Sequence, residues 1–330
     1  MHMADALVTP AVAGVMYACS GVAAGYSIRK VRLEDDETKI PVMGVMGAFV
    51  FAAQMINFTI PGTGSSGHLC GGMLLSALLG PYAGFLTMIG VLLVQCLIFA
   101  DGGLLALGCN VWNMAFYGCF VGSLLIWRPM MKGGADKRKI TAASVIGCVL
   151  TLQMGAFSVS LETLLSGITE LPFGAFVAAM QPIHLAIGLV EGLVTAAVLS
   201  FVYEARPELL WGIEEKKEGR MSLARTLGIL GVITALTGGV LSLLASAFPD
   251  GLEWSMEKVA GTSELTAGGA AYETAARIQE ATSVLPDYAI KGSESAAGTT
   301  VSGLVGAAAV VALCIACAYL FRFFKNRKAV

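Results

Sequence analysis

Uninterrupted apolar runs of close to 20 residues, several without one acidic or basic side chain, constrain what this 330-residue chain can fold into. A bilayer's hydrocarbon layer of roughly 30 Å is crossed by about 20 helical residues rising 1.5 Å each. Closed β-barrels are the other spanning solution, but they read as alternating polar and apolar positions in pieces of about 10 residues. No such alternation runs through these segments. Only 13% of the residues are charged, against about 25% in an ordinary soluble domain. The expectation is an all-α, polytopic integral membrane protein embedded in a lipid bilayer.

Apolar runs between charged or turn-rich breaks predict nine spans, at 9–28, 42–59, 67–79, 82–100, 104–127, 140–166, 175–204, 223–247 and 300–322. The third is short, and Gly80-Pro81 joins it to the fourth, so these two are expected either to cross separately or to form a partial hairpin. Ser65 or Ser66 is a candidate cap for the helix that follows. Lys and Arg collect at 29–39, 128–139, 206–225 and 322–328. Nine spans put those four places on one side, which the positive-inside rule makes cytoplasmic. Residue 1, the 60–67 loop, the 101–103 turn and the 167–174 loop then share the external face. The stretch 248–299, with eight acids from Asp250 to Glu294 and only Lys258, Arg277 and Lys291 opposing them, joins them there. The N-terminus is thus expected outside the cytoplasm and the C-terminus inside.

Three parts follow: a seven-helix core over 1–204, a cytoplasmic connector over 205–222 with Trp211 and Glu214 to Lys217, and a two-helix unit over 223–330. The external 248–299 loop, rich in Ala, Gly, Ser and Thr, is expected to be weakly ordered. Glycines four apart, Gly21 and Gly25, Gly118 and Gly122, Gly188 and Gly192, suit close helix packing within the subunit or docking onto a partner membrane subunit. The eight cysteines lie almost entirely in apolar runs and read as small core residues. Cys314 and Cys317 form a C-x-x-C with no second pair. A net charge of −2 points to no nucleic-acid partner. The opening Met-His-Met-Ala-Asp lacks a basic n-region, so the mature chain is expected to keep residue 1.

Of three histidines, His2 and His68 fall on the same predicted rim. The α-amine of Met1, the amide nitrogen of His2 and its imidazole can close adjacent small chelate rings on one ion. The amide binds only after losing its proton, which favours late first-row ions such as Ni²⁺ and Cu²⁺. His68 can supply a fourth nitrogen. The same residues also fit a plainer reading: Met-His as the start of translation and His68 as a helix start facing the interface. Asn110 and Asn113 lie three residues apart near that rim and suit either hydrogen bonds that orient a ligand or helix–helix bonds. His184 and Glu191, seven apart on one helical face, suit a relay or a static support at membrane depth. No G-x-x-x-x-G-K-[ST] is present, so ATP hydrolysis would need another chain. Neither H-E-x-x-H nor G-x-S-x-G occurs, and no enzyme is expected.

Met1-His2, Ser66-Gly67-His68-Leu69 with Leu79-Gly80-Pro81, Phe99-Ala100-Asp101-Gly102-Gly103, Asn110-Val111-Trp112-Asn113-Met114, and His184-Leu185-Ala186-Ile187-Gly188 with Glu191 together resemble the CbiM/NikM family. These are substrate-binding membrane subunits of energy-coupling factor transporters for cobalt and nickel. Pro249-Asp250-Gly251-Leu252-Glu253 resembles the PDGLE motif of the small CbiN/NikN-like component, here fused. The resemblance implies a seven-helix core with an inserted N-terminus, holding Ni²⁺ or Co²⁺ as cargo through Met1, His2 and His68. It implies no organic cofactor, and it implies a transmembrane coupling subunit and two cytoplasmic ATPase subunits as partners. A secondary metal transporter without ATPases and a membrane metalloenzyme are the alternatives. Residues 3 to 7, Met-Ala-Asp-Ala-Leu, depart from the family's usual pattern.

Overall fold

A computed structural model describes residues 1–31, 38–213, 220–292 and 295–326. Arg32, Glu214 to Lys217, Glu294, Arg327 and Lys328, used above to read charge and connectors, lie outside the described residues. The helices are α1 (Pro10–Lys30), α2 (Lys39–Gln54), α3 (Gly72–Ile98), α4 (Leu107–Met131), α5 (Lys137–Leu165), α6 (Phe173–Ala205), α7 (Leu223–Gly239), α8 (Gly251–Ala260), α9 (Ala270–Thr282) and α10 (Ala296–Asn326). Among the described residues six helices are long and apolar enough to cross a membrane, while α2 and α7 are apolar but shorter. The chain is an all-α multi-pass membrane protein with one small exception. Residues of the predicted 60–67 loop pair as β1 (Phe58–Ile60) against β2 (Ser65–Gly67), with Thr59 opposite Ser66.

That hairpin corrects two expectations. Ser65 and Ser66 cap no helix: the Ser66 amide donates to Pro249 O at 2.8 Å and its hydroxyl to Phe248 O at 2.7 Å. Helix α3 starts only at Gly72, so the predicted third span 67–79 loses its first turn. The Gly80-Pro81 break is sharper than a kink. Gly80 has φ 78° and ψ 170°, a region essentially closed to other residues. A Cβ on Gly84 would lie 2.9 Å from Ser76 Cα, an approach impossible eight residues along one straight helix. Residues 72–79 and 81–98 are therefore two arms folded against each other. The first, about 12 Å long at 1.5 Å per residue, is too short to cross. Counting both arms, seven helical segments precede Arg206 among the described residues.

The two ends of the bundle have different populations. At one end Trp211 N donates to Ala77 O (2.8 Å), Trp127 Nε1 to Trp211 O (2.8 Å), Tyr203 Oη to Ala135 O (2.6 Å), and Lys137 pairs with Glu204. At the other, Thr9 N donates to Ser166 Oγ (3.0 Å) and Gly103 N to Met3 O (2.8 Å). Residue 1, the β-hairpin, the 101–103 turn and the head of the 167–174 loop share one end, as the span count predicts, with Arg128 and Lys137 at the other.

The C-terminal unit shares the core of the first part. Helix α10 packs along α2, where a Cβ on Gly47 would lie 3.0 Å from Val310, and crosses α7 at Gly238 and Gly303. Gly118 lies against Gly72, and Gly188 and Gly192 against Val149 and Val145, whereas Gly21 and Gly25 on α1 have nothing within 4 Å. The cysteines are free. Where composition predicts little regular structure, the described residues of 248–299 build α8 and α9 across the end that carries residue 1. Their order comes from hydrogen bonds to that end rather than from an apolar core of their own.

Gly80→Ala should cost about 1–3 kcal/mol from backbone strain alone, and its Cβ would also sit 2.9 Å from the Trp211 ring. A melting temperature several degrees below native, measured on the purified protein in detergent, is the expected outcome.

Candidate metal centre

The first nine residues form no long helix, only a short 3₁₀ turn at Asp5–Leu7, and thread into the bundle end. Met1 and Met3 are buried. Their main chain has left water, so its polar groups need partners. Asn110 supplies both for Met3: Oδ1 accepts from the amide at 2.7 Å and Nδ2 donates to the carbonyl at 3.1 Å. Gly103 N adds a second bond to Met3 O, and Asp5 Oδ1 accepts from Ala106 N at 3.0 Å. Gly103 is where the tail passes closest, since any Cβ there would collide with Asp5. Asn113 donates to Glu162 Oε2 at 2.7 Å and lies 3.5 Å from Met3 Sδ. Asn110 grips the tail backbone, and Asn113 bonds across to Glu162 on α5 with the Met3 sulfur beside it.

This seating delivers the Met1 amine to 2.8 Å from His68 Nε2. The His68 Nδ1 lies 2.9 Å from Leu69 O, which puts the proton on Nδ1 and the lone pair on Nε2, facing the amine. The His2 ring stacks on His68 with centroids 5.2 Å apart and planes 19° from parallel. Its Nδ1 lies 3.2 Å from Asp101 Oδ1 and its Nε2 3.2 Å from Gln95 Oε1. Met1, His2 and His68 therefore converge. To close the chelate, the His2 ring must turn its Nδ1 away from Asp101. Among the described residues no three His, Cys, Asp or Glu side chains gather as a metal group.

Asp250 is a site residue that neither spacing nor charge pattern indicates. Its Oδ2 lies 2.5 Å from the Met1 amine and 3.7 Å from His68 Nε2. Its Oδ1 accepts from Leu252 N and Glu253 N, and Glu253 Oε2 accepts from Asp250 N. The Asp-x-x-Glu of the motif is thus a capping box that starts α8, and the spare carboxylate oxygen reaches a partner 249 residues away. The capping box is legible locally, but the long-range contact is not. Trp254 Nε1 pins α8 to Thr63 O at 3.0 Å, Gln279 Nε2 donates to Gly102 O at 2.9 Å, and Tyr288 Oη donates to Asp101. Between them lies a cavity of about 800 Å³ lined by Asp5, Asp101, Asp250, Glu253, Glu273 and Asp287, with no Lys or Arg among its described residues. A cleft of one sign concentrates the opposite ion, here cations.

His184 and Glu191 share a face of α6 as predicted but form no pair in the structure. Glu191 accepts from Cys70 N at 3.0 Å and Gly71 N at 2.9 Å, fixing the turn just after His68. His184 Nδ1 lies 2.7 Å from Met180 O.

Burial pushes the His2 imidazole down to about 4, with Asp101 opposing, so at neutral pH the ring is neutral and able to ligate. Burial is the largest influence on the Met1 amine and works to lower it, but Asp250, Cys70 and Asp101 together outweigh it and hold the amine above its ordinary 8.0. Burial likewise opposes the Asp250 charge, and the Met1 ammonium and His68 together overcome it, holding the carboxyl well below its usual range.

Residues 2–209 match the model of the cobalt uptake substrate-specific transmembrane region, CbiM. The chain belongs to the CbiM family. Residues 224–323 match the PDGLE domain. An Archaeoglobus fulgidus protein carrying the fused nickel transport name NikMN is 37% identical over 95% of this chain and 96% of its own. The fused nickel transport protein NikMN of Rhodobacter capsulatus is 30% identical over 94% and 95%. The cobalt transport protein CbiM of Sorangium cellulosum is 31% identical over 57% and 84%. A crystal structure of a truncated transition metal transporter superposes with a TM-score of 0.54 at 30% identity, covering 62% of this chain and 99% of that one. This chain is thus a membrane subunit of a nickel and cobalt transport family, with a CbiN-like segment fused behind it.

Asn110→Ala leaves the Met3 amide buried without its partner, at about 1–3 kcal/mol. Ni²⁺ affinity should fall about tenfold or more, since about 1.4 kcal/mol is a factor of ten. Asn110→Asp, which keeps the Oδ1 acceptor, should recover part of it; calorimetric titration of both variants checks this.

Proposed function

We propose that this chain is the substrate-binding subunit of an energy-coupling factor importer, capturing Ni²⁺ or Co²⁺ through the Met1 amine, the His2 amide and imidazole, and His68 Nε2. The observation that carries the reading is the Met1 amine 2.8 Å from the His68 lone pair inside the protein. A soluble or merely structural N-terminus has no reason to be buried with a charged group. Four nitrogens, one of them a deprotonated amide, suit ions late in the first-row series that accept a planar field. Relatives named for nickel and for cobalt support the ion class.

The end carrying residue 1 faces outward in this reading, with the basic residues Arg128 and Lys137 in the cytoplasm. The acid-lined cavity collects the cation, and the inserted tail binds it. Residues 1–204 act as the metal-holding core, 205–222 as the connector, and 223–330 as the PDGLE unit. A transmembrane coupling subunit and two cytoplasmic ATPases drive release inward, since the chain has no nucleotide-binding loop of its own.

Charge balance fits Asp250. A divalent cation on one amidate is net +1, the same charge as the ammonium it replaces. The carboxylate therefore balances both states of a dry site, where an uncompensated charge is costly.

Extending the chain by four residues before Met1, which carries the α-amine out of chelate reach of His2, should abolish tight Ni²⁺ and Co²⁺ binding in calorimetry while leaving a folded protein; equal binding by both chains would refute the site. Binding must also displace the amine proton and the amide proton. Affinity should therefore rise about a hundredfold per pH unit below the raised amine value, where both protons are released, and about tenfold per unit above it, where only the amide proton is. A slope of tenfold per unit or less between pH 6 and 8 would contradict an amine ligand.

A further inference from the structure

His184 is 1% exposed in α6, and among the described residues its Nε2 has no hydrogen-bond partner. Burying a polar nitrogen unpaired is costly, and native structures do so rarely without a use. The ring's other nitrogen explains the chemistry available. Nδ1 lies 2.7 Å from Met180 O, the carbonyl one helical turn back, so Nδ1 carries the proton and Nε2 presents a fixed lone pair. A backbone carbonyl holding the far nitrogen is the arrangement that prepares a histidine to ligate a metal.

The lone pair faces the PDGLE segment. A Cβ on Gly251 would lie 3.2 Å from His184 Nε2 and 3.0 Å from its Cε1, so only glycine seats α8 against this ring. The neighbouring residue, Asp250, is the one bound to the Met1 amine. On the opposite side, Ile187, one turn along α6, packs both Gly67 beside His68 and Gly251. His184 thus lies against Gly251, the residue next to the Asp250 that meets the amine, in the wall shared by the His68 turn and the α8 N-terminus. With α8 seated, its nitrogen is blocked by a main chain that offers it no hydrogen bond.

We infer that His184 Nε2 is a transient ligand for the cargo cation, engaged while Asp250 and Gly251 are displaced and released when they reseat over the Met1, His2 and His68 nitrogens. The step is a ligand exchange. A hydrated Ni²⁺ or Co²⁺ exchanges water for the neutral imidazole, then exchanges the imidazole for the chelate nitrogens as the amine and amide protons leave to water. The inference rests on the proposed capture site.

The test is stopped-flow mixing of Ni²⁺ with the purified full chain, following growth of the planar Ni–nitrogen absorption band, for the native chain, His184→Gln and the four-residue N-terminal extension. The expected result is that His184→Gln reaches the native band at equilibrium but at least about tenfold more slowly, the low end of what removing a group that supports a metal site costs. A native loading rate in His184→Gln would overturn the inference. So would loss of the final band in folded His184→Gln, which would make the ring a support of the site itself. A full band from the extended chain would instead sink the capture site, independently of what His184→Gln does.

Discussion

A charged amine inside a membrane protein persists only if its partners outweigh the water it has lost. Here the partners of Met1 are one imidazole lone pair and one carboxylate, from the segments just before α3 and at the head of α8. Much of the architecture at that end follows from delivering these three groups to one point. The Gly102-Gly103 turn and Asn110 make a channel for the tail. Glu191 fixes the turn that carries His68. The β-hairpin lends its backbone to the strand-like 248–249 segment, so that the capping box of α8 places Asp250 above the amine.

The fusion of the PDGLE unit acquires a physical meaning from this contact. Composition divides the chain into a core and a polar appendage, yet α10 lies in the core against α2, and α8 and α9 cover the cavity. Four of the acids that make 248–299 look solvated, Asp250, Glu253, Glu273 and Asp287, line the cavity together with Asp5 and Asp101. Asp250 works twice, with one oxygen starting a helix and the other meeting the tail.

The all-α membrane class, most of the helices and the common end shared by residue 1, His68 and Asp101 were legible in the sequence. Apolar run length and the spacing of charged connections are local, strong signals. The Gly80 hairpin was half legible: Gly-Pro marks a break, but only the packing of Gly84 on Ser76 tells a fold-back from two crossings. The first turn of the third span was misplaced because composition does not show that Ser65 to Gly67 pairs in a hairpin or that Glu191 takes the Cys70 and Gly71 amides, with Gly71 left-handed at φ 82°. Asn110 and Asn113 were found by type and position, but the work of Asn110 on the tail backbone was not, since a main-chain partner leaves no mark in composition. Asp250 was out of reach for the same reason that any contact 249 residues apart is: pattern arguments extend over one element.

The central claim is that the cargo sits on nitrogens of the chain's own first two residues and His68. X-ray absorption at the nickel edge of the Ni²⁺-loaded full chain tests it most directly. The account predicts a planar, four-coordinate shell of nitrogen donors with the scattering of two imidazoles and no sulfur. A six-coordinate, oxygen-rich shell, or one containing Met or Cys sulfur, would contradict it.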